Sequence, residues 1–236
     1  GIGGLVKDVG LEGGSVTGSR IVGSLVGRTN GSTVTGSYAR DVVVSGGDYV
    51  GGLMGWSYTG TVSNSYATGA VSGNDFVGGL VGGNPGTVSY SYATGAVSGN
   101  TNNVGGLVGG NTSVVSNSFW DTTTSTQSFG IGGTGASQTG VTGKTTADMK
   151  TAIIFNDAGW NVSSIGGSSA IWRIYDGSTA PLLRSFLTPI TLTPAYNGTT
   201  QTLTTLGDYS TDIASPVTAN ILGSATGLTL NSSATA

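Results

Sequence analysis

The sequence predicts an all-β chain: a parallel β-helix (β-solenoid) with about 27 residues and three short strands per coil. A mixed cap with one short helix closes it, and a small β module follows. Three observations carry this. A six-residue block recurs at near-constant spacing, each repeat is rich in Val, Tyr, Ser and Thr, and Gly, Asn and Asp separate the segments.

The block Val-Gly-Gly-Leu-Val-Gly stands at 77–82 and 104–109, and with one substitution at 22–27 and 50–55. Its starts at 22, 50, 77 and 104 are 28, 27 and 27 residues apart. A second block follows each copy: Thr33-Val-Thr-Gly-Ser-Tyr-Ala39, Thr61-Val-Ser-Asn-Ser-Tyr-Ala67, Thr87-Val-Ser-Tyr-Ser-Tyr-Ala93, and the one-residue-longer Ser113-Val-Val-Ser-Asn-Ser-Phe-Trp120. A third, Thr-Gly-Ala-Val-Ser-Gly, lies at 68–73 and 94–99, with a looser version at 41–46. β-branched and aromatic residues favour strands, and Gly, Asn and Asp favour turns. Each helical Gly costs about 1 kcal/mol, which disfavours helices here.

A single coil cannot bury its own apolar face, but a stack can. Like residues then form ladders at about 4.8 Å spacing. The expected ladders are Leu25, Leu53, Leu80 and Leu107; Val34, Val62, Val88 and Val114 or Val115; and Tyr38, Tyr66, Tyr92 and Phe119. Residues 1–120 are read as the solenoid. The chain starts inside the repeat pattern, as a fragment of a longer protein would.

Residues 121–187 are the candidate cap, because an open solenoid end exposes strand edges. Thr145 or Thr146 is expected to N-cap a helix through Phe155, with Asp148 in its first turn and Met149, Ile153 and Ile154 facing the last coil. Trp160, Ile171, Trp172, Ile174, Leu182 and Leu183 supply further cover. In 188–236 the pattern changes to short strand-like runs at 190–194, 200–205, 216–221 and 227–230. That reads as the start of a β-sandwich-like module.

The Gly-Leu-hydrophobic-Gly core of each repeat resembles the GLUG motif of large bacterial surface proteins, filamentous-haemagglutinin-like exoproteins among them. The resemblance covers about residues 1–120. Ser118-Phe-Trp-Asp121, Thr145-Thr-Ala-Asp-Met-Lys150, Trp172-Arg-Ile and Pro181-Leu-Leu look like the segment that closes such arrays. It implies secretion, display on the bacterial cell surface and an adhesive or structural role, and it brings no catalytic residues.

Composition excludes several function classes. There is no Cys and no His, so disulfides, thiolate chemistry and Cys/His zinc sites are ruled out. The net charge of −3 disfavours nucleic acid. No apolar run approaches the roughly 18 residues of a membrane span. No stretch carries a full Gly-x-x-x-x-Gly-Lys-Ser/Thr P-loop: Gly143-Lys144-Thr145 has Gln138 where the first Gly is required.

Three candidate sites remain. Aligning the repeats puts Arg20, Asp48, Asp75 and Asn102 at one coil position. Asp48 and Asp75 would lie about 5 Å apart, a spacing that suits two catalytic carboxylates; turn structure with an Arg20–Asp48 ion pair is the alternative, and a bound calcium, with backbone carbonyls completing its shell, is a third. Trp56, aligned with Arg28, Gly83 and Gly110, is expected to point outward, and with Tyr58 it could stack a sugar ring. The row Thr33, Thr61, Thr87 and Ser113 could offer a flat ice-binding face. The leading reading is a non-catalytic structural or adhesive segment with no cofactor, whose partners are a host or environmental glycan or surface, or neighbouring subunits. An extracellular fibre or sheath subunit, a carbohydrate-active enzyme and an ice-binding solenoid are the alternatives.

Overall fold

The computed structural model describes residues 3–84, 86–165 and 168–189, with the short pairs 200–201, 209–210 and 232–233. The chain divides into two compact units, 1–149 with 157–160, and 150–156 with 161–236.

The first unit is the parallel solenoid, about 27 residues per turn. Each full turn holds five short strands rather than three. In the second turn they are Asp48–Gly51, Met54–Tyr58, Thr61–Ser63, Tyr66–Ala67 and Val71–Ser72. Each strand joins the equivalent strand of neighbouring turns, giving five parallel sheets. The extra strands arise because two blocks bend in the middle. At Gly51 a Cβ would lie 2.1 Å from the Met54 carbonyl oxygen and 2.6 Å from the Gly82 nitrogen, so only Gly lets the chain fold this tightly. The second block bends at a left-handed residue, Gly36, Asn64, Tyr90 or Asn117.

The register follows the repeat: Val22↔Val50, Val50↔Val77 and Val77↔Val104. Val34, Val62, Val88 and Val115 form one buried row. Val115 therefore takes the ladder position, and Val114 points out at 55% exposure. The threonine row consequently ends in Val114, not Ser113, opposite Thr87. Leu53, Leu80 and Leu107 are fully buried, while Leu25, in the first full turn, is partly so. Ala39, Ala67, Ala93 and Trp120 join this core. By strand alternation the tyrosine row beside them stands on the opposite face of its sheet. There Tyr38, Tyr66 and Tyr92 stack at 5.0 Å, with ring planes 6° and 1° apart. Phe119 continues the row in register with Tyr92.

A hydrogen-bonded serine row fixes the bend before these tyrosines. The hydroxyls of Ser37, Ser65, Ser91 and Ser118 each donate to the carbonyl two residues back, at 2.7–2.9 Å. Each also accepts a backbone N–H from the preceding turn, at 3.2–3.3 Å. Backbone donors at the bend, which the sheets leave unpaired, are thereby satisfied without water.

Past 120 the solenoid continues for part of a turn. Val141–Lys144 pairs in parallel with Ser118–Asp121, and Ile131 bridges to Val108. Trp160 ends the aromatic row, 5.8 Å from Phe119 and 6.4 Å from Tyr92, and its indole donates to the Asn117 carbonyl at 2.7 Å. A helix not foreseen in the sequence, Thr122–Ser125, is N-capped by the buried Asp121, which accepts from the Thr123 and Thr124 N–H groups.

The expected helix from Thr145 is broken in two. Thr145 caps a 3₁₀ turn, Asp148–Lys150, through a reciprocal pair with Asp148. An α-helix, Ala152–Asp157, then begins, its Ala152 N–H held by Asp176. The tighter 3₁₀ turn shifts the helical phase. As a result Phe155 is buried, and Ile153, expected inside, is 57% exposed.

In the second unit Trp172–Arg173 pairs in parallel with Val162–Ser163 and antiparallel with Leu182–Leu183. Trp172, Ile174, Leu182 and Leu183 are buried, whereas Ile171 is 41% exposed. Of the β module, Thr188–Pro189 pairs with Tyr209–Ser210, and Thr200–Gln201 with Ser232–Ser233. The strands expected at 190–194, 216–221 and 227–230 lie outside the described residues, as does most of 200–205.

Candidate functional site

Trp56 does project outward. It aligns with Arg28 on one side and Gly83 on the other. A Cβ on Gly83 would fall 2.5 Å from the Trp56 ring, so the indole lies across the next turn and needs Gly there. Tyr58, two residues on, also points out and is 45% exposed, with Ser57 between them buried. The ring that Trp56 meets is not Tyr58 but Tyr49, edge-on, with centroids 4.4 Å apart and planes at 87°. Tyr49 in turn stacks on Phe76 at 4.6 Å and 13°. Phe76 covers Gly110, where a Cβ would lie 2.5 Å from its ring.

Tyr49 and Phe76 owe these positions to their backbones. Their φ values are +54° and +49°, in the left-handed region. An L-residue other than Gly, Asn or Asp pays about 1–2 kcal/mol to sit there. Neither residue pairs in its sheet, while Asp48↔Asp75 and Val50↔Val77 do. The two stay in step with each other between those pairs, and each left-handed residue turns its side chain across the outer face.

Asp48 and Asp75 are neighbours on adjacent turns, as the repeat alignment requires. Their environments are those of turn residues. Asp48 faces Arg20 at 3.8 Å. Asp75 Oδ1 accepts from the Thr101 hydroxyl at 2.5 Å, the Asn103 amide at 2.9 Å and the Phe76 N–H at 3.0 Å. Partial burial pushes its pKa up. The hydrogen bonds from Thr101, Asn103 and the Phe76 N–H outweigh that and leave it below the ordinary 3.8. The carboxylate therefore braces the bend that carries Phe76. Among the described residues no three His, Cys, Asp or Glu side chains gather as a metal site would need.

Beside the three rings runs a groove of about 220 Å³, with Trp56, Phe76, Asn103, Asn111 and Thr112 on its walls and the Gly132–Gly133 backbone opposite. Asn84 lies beneath. Its amide donates to Asn111 Oδ1 at 2.7 Å, and Asn111 donates to the Ser113 carbonyl at 2.8 Å. That chain fixes both amides and leaves Asn84 Oδ1, in a residue 1% exposed, without a partner. A second hollow of about 420 Å³ shares the Gly132, Gly133 and Ala136 wall and is lined by Asn102, Phe129 and Gln138.

Sequence reasoning singled out Trp56 and Tyr58, and did not single out Tyr49, Phe76, Asn103 or Asn111, which line the groove or pack on Trp56. Tyr49 and Phe76 did carry a signal. They are large aromatics between an Asp and the first Val of the block in two successive repeats, where Ile21 and Asn103 stand in the flanking ones. Their backbone conformation was not visible in the alignment.

No curated protein and no solved structure matches the chain. A family model described as the GLUG motif matches residues 46–72, one full turn that includes Asp48, Tyr49 and Trp56. The chain therefore contains a GLUG repeat region, folded as a parallel β-solenoid.

Proposed function

We propose that this chain is a non-catalytic, adhesive or structural segment of a secreted protein displayed on the bacterial cell surface, of the filamentous-haemagglutinin-like kind. The observation that carries this is the continuity of the ladders. Serine hydroxyls, tyrosine rings and apolar side chains each run from turn to turn without interruption. A stack of this kind is stiff and nearly one-dimensional, and it presents its outer side chains at a fixed repeat. That suits a stalk or an adhesive surface. The carboxylates in the repeats are engaged in turn geometry and in an ion pair, which favours a scaffold over an acid–base site.

The test is surface labelling of the source bacterium. Antibody to this segment should stain intact cells, and brief external protease should remove the signal. Beads coated with the purified chain should adhere to host cells or to environmental polysaccharide. Staining that appears only after the cells are opened would reject the reading.

A further inference from the structure

The groove beside Trp56 lends itself to one kind of ligand. Its walls combine aromatic rings with amide and hydroxyl groups, and none of the described residues that line it is charged. Aromatic faces meet the C–H face of a sugar ring, while amides meet its hydroxyls; a charged or phosphorylated ligand would want Arg or Lys instead. The volume is below the ~300 Å³ floor of drug-sized pockets, which limits it to about one ring.

Two further features indicate a prepared site. The rings are held in place at a cost, through left-handed backbone at Tyr49 and Phe76 and through glycines at 83 and 110 that admit Trp56 and Phe76. The polar groups are oriented from behind. Asp75 holds the Asn103 amide, and the Asn103 Oδ1 lies 3.4 Å from where a Gly133 Cβ would be, on the opposite wall. Beneath them, buried Asn84 donates its amide to Asn111 Oδ1 and so fixes that side chain from below.

We infer that this groove binds a neutral glycan, with one pyranose ring against Trp56 and Phe76 and its hydroxyls met by Asn103, Asn111 and Thr112. The adjoining hollow beside Phe129 receives the next sugar of the chain. The inference deepens the adhesive reading above and rests on it only for access to the ligand.

The probe is an array of neutral gluco-, galacto-, manno- and xylo-oligosaccharides, followed by fluorescence titration of each hit. Trp120, Trp160 and Trp172 are 6%, 4% and 1% exposed, so the half-buried Trp56 is the indole positioned to report binding. Trp56→Ala and Asn103→Ala should each weaken binding about tenfold or more, equivalent to about 1.4 kcal/mol. Thr112→Trp, at an exposed position, should plug the groove without disturbing the turn stack. Tyr58→Ala, outside the groove, should bind within about twofold of the parent, well under 1 kcal/mol. Each variant is first shown to keep the parent's circular dichroism spectrum. No binding to any neutral oligosaccharide overturns the proposal, as does binding that survives both Trp56→Ala and Thr112→Trp. Neither result touches the surface reading, which stands or falls on the labelling of intact cells.

Discussion

The hydroxyl of Ser65 accepts the backbone N–H of Ser37 from the preceding turn at 3.3 Å while donating to its own Ser63 carbonyl at 2.8 Å. One small side chain thus stitches two turns together at a bend where the sheets cannot. Ser65→Ala leaves the Ser37 N–H buried and unpaired, which costs about 1–3 kcal/mol. Urea unfolding of the variant should show that loss; a change below about 0.5 kcal/mol would mean that the bend has another donor–acceptor solution.

Tyr66 sits between Tyr38 and Tyr92 in the stacked row and is 3% exposed. Removing it strips contacts from two rings at once. Tyr66→Ala is expected to cost about 3–5 kcal/mol, the range for deleting a buried aromatic side chain. A thermal or urea midpoint close to the parent's would show that the row is ornamental to stability.

Glycines in this chain have unequal roles, and two substitutions separate them. A Cβ at Gly78 would lie 2.1 Å from the Val81 carbonyl and 2.6 Å from the Gly109 nitrogen. Gly78→Ala should therefore cost at least about 3 kcal/mol, since the backbone of two turns must move. Gly13 has φ of +63° with nothing within 4 Å of an added Cβ. Gly13→Ala should cost only about 1–2 kcal/mol of backbone strain. Equal losses would contradict the close-approach explanation.

The edge of the tyrosine row is expected to respond to pH. Tyr38 donates to Glu12 at 2.6 Å, and Arg40 pairs with the same carboxylate. The Tyr38 hydrogen bond lowers the Glu12 pKa, partial burial opposes it, and Arg40 adds to the lowering, so the net shift is below 4.5. A depressed carboxylate contributes stability above its unfolded pKa and loses it as pH falls through the folded one. Burial, then the Glu12 bond, pushes Tyr38 up to about 12. A raised phenol contributes its stability fully below the unfolded value of 10 and loses it as pH rises toward 12. Stability should therefore fall below pH 4.5 and above pH 10. Glu12→Gln should flatten the acid limb, as read from urea midpoints across pH; an unchanged acid limb would remove Glu12 from this role.

The repeats made the turn length, the parallel stack and the buried leucine and valine rows legible. A spacing of 27 residues with like residues in register can bury its apolar face in few other ways. The Arg20–Asp48–Asp75 alignment was legible for the same reason. What a one-dimensional pattern cannot carry is where a strand bends. Five strands appear in place of three because Gly51 and Asn64 turn the chain within what reads as one continuous block. The helix near 150 was visible as helix-forming sequence, but its 3₁₀ start, and hence the exchange of Phe155 for Ile153 inside, depended on local phase.

The candidate site divides along the same line. The sequence by itself determined that the chain winds into a GLUG-type solenoid and pointed Trp56 to its outer face, because the period and the alignment of Trp56 with Arg28, Gly83 and Gly110 depend only on the order of residues. The tertiary structure alone decided that Trp56 is joined by Tyr49 and Phe76 rather than by Tyr58, and that Asp75 braces the groove wall. Those contacts come from two left-handed residues and from side chains lying across turns about 27 residues apart, where stacking, not sequence proximity, makes them neighbours.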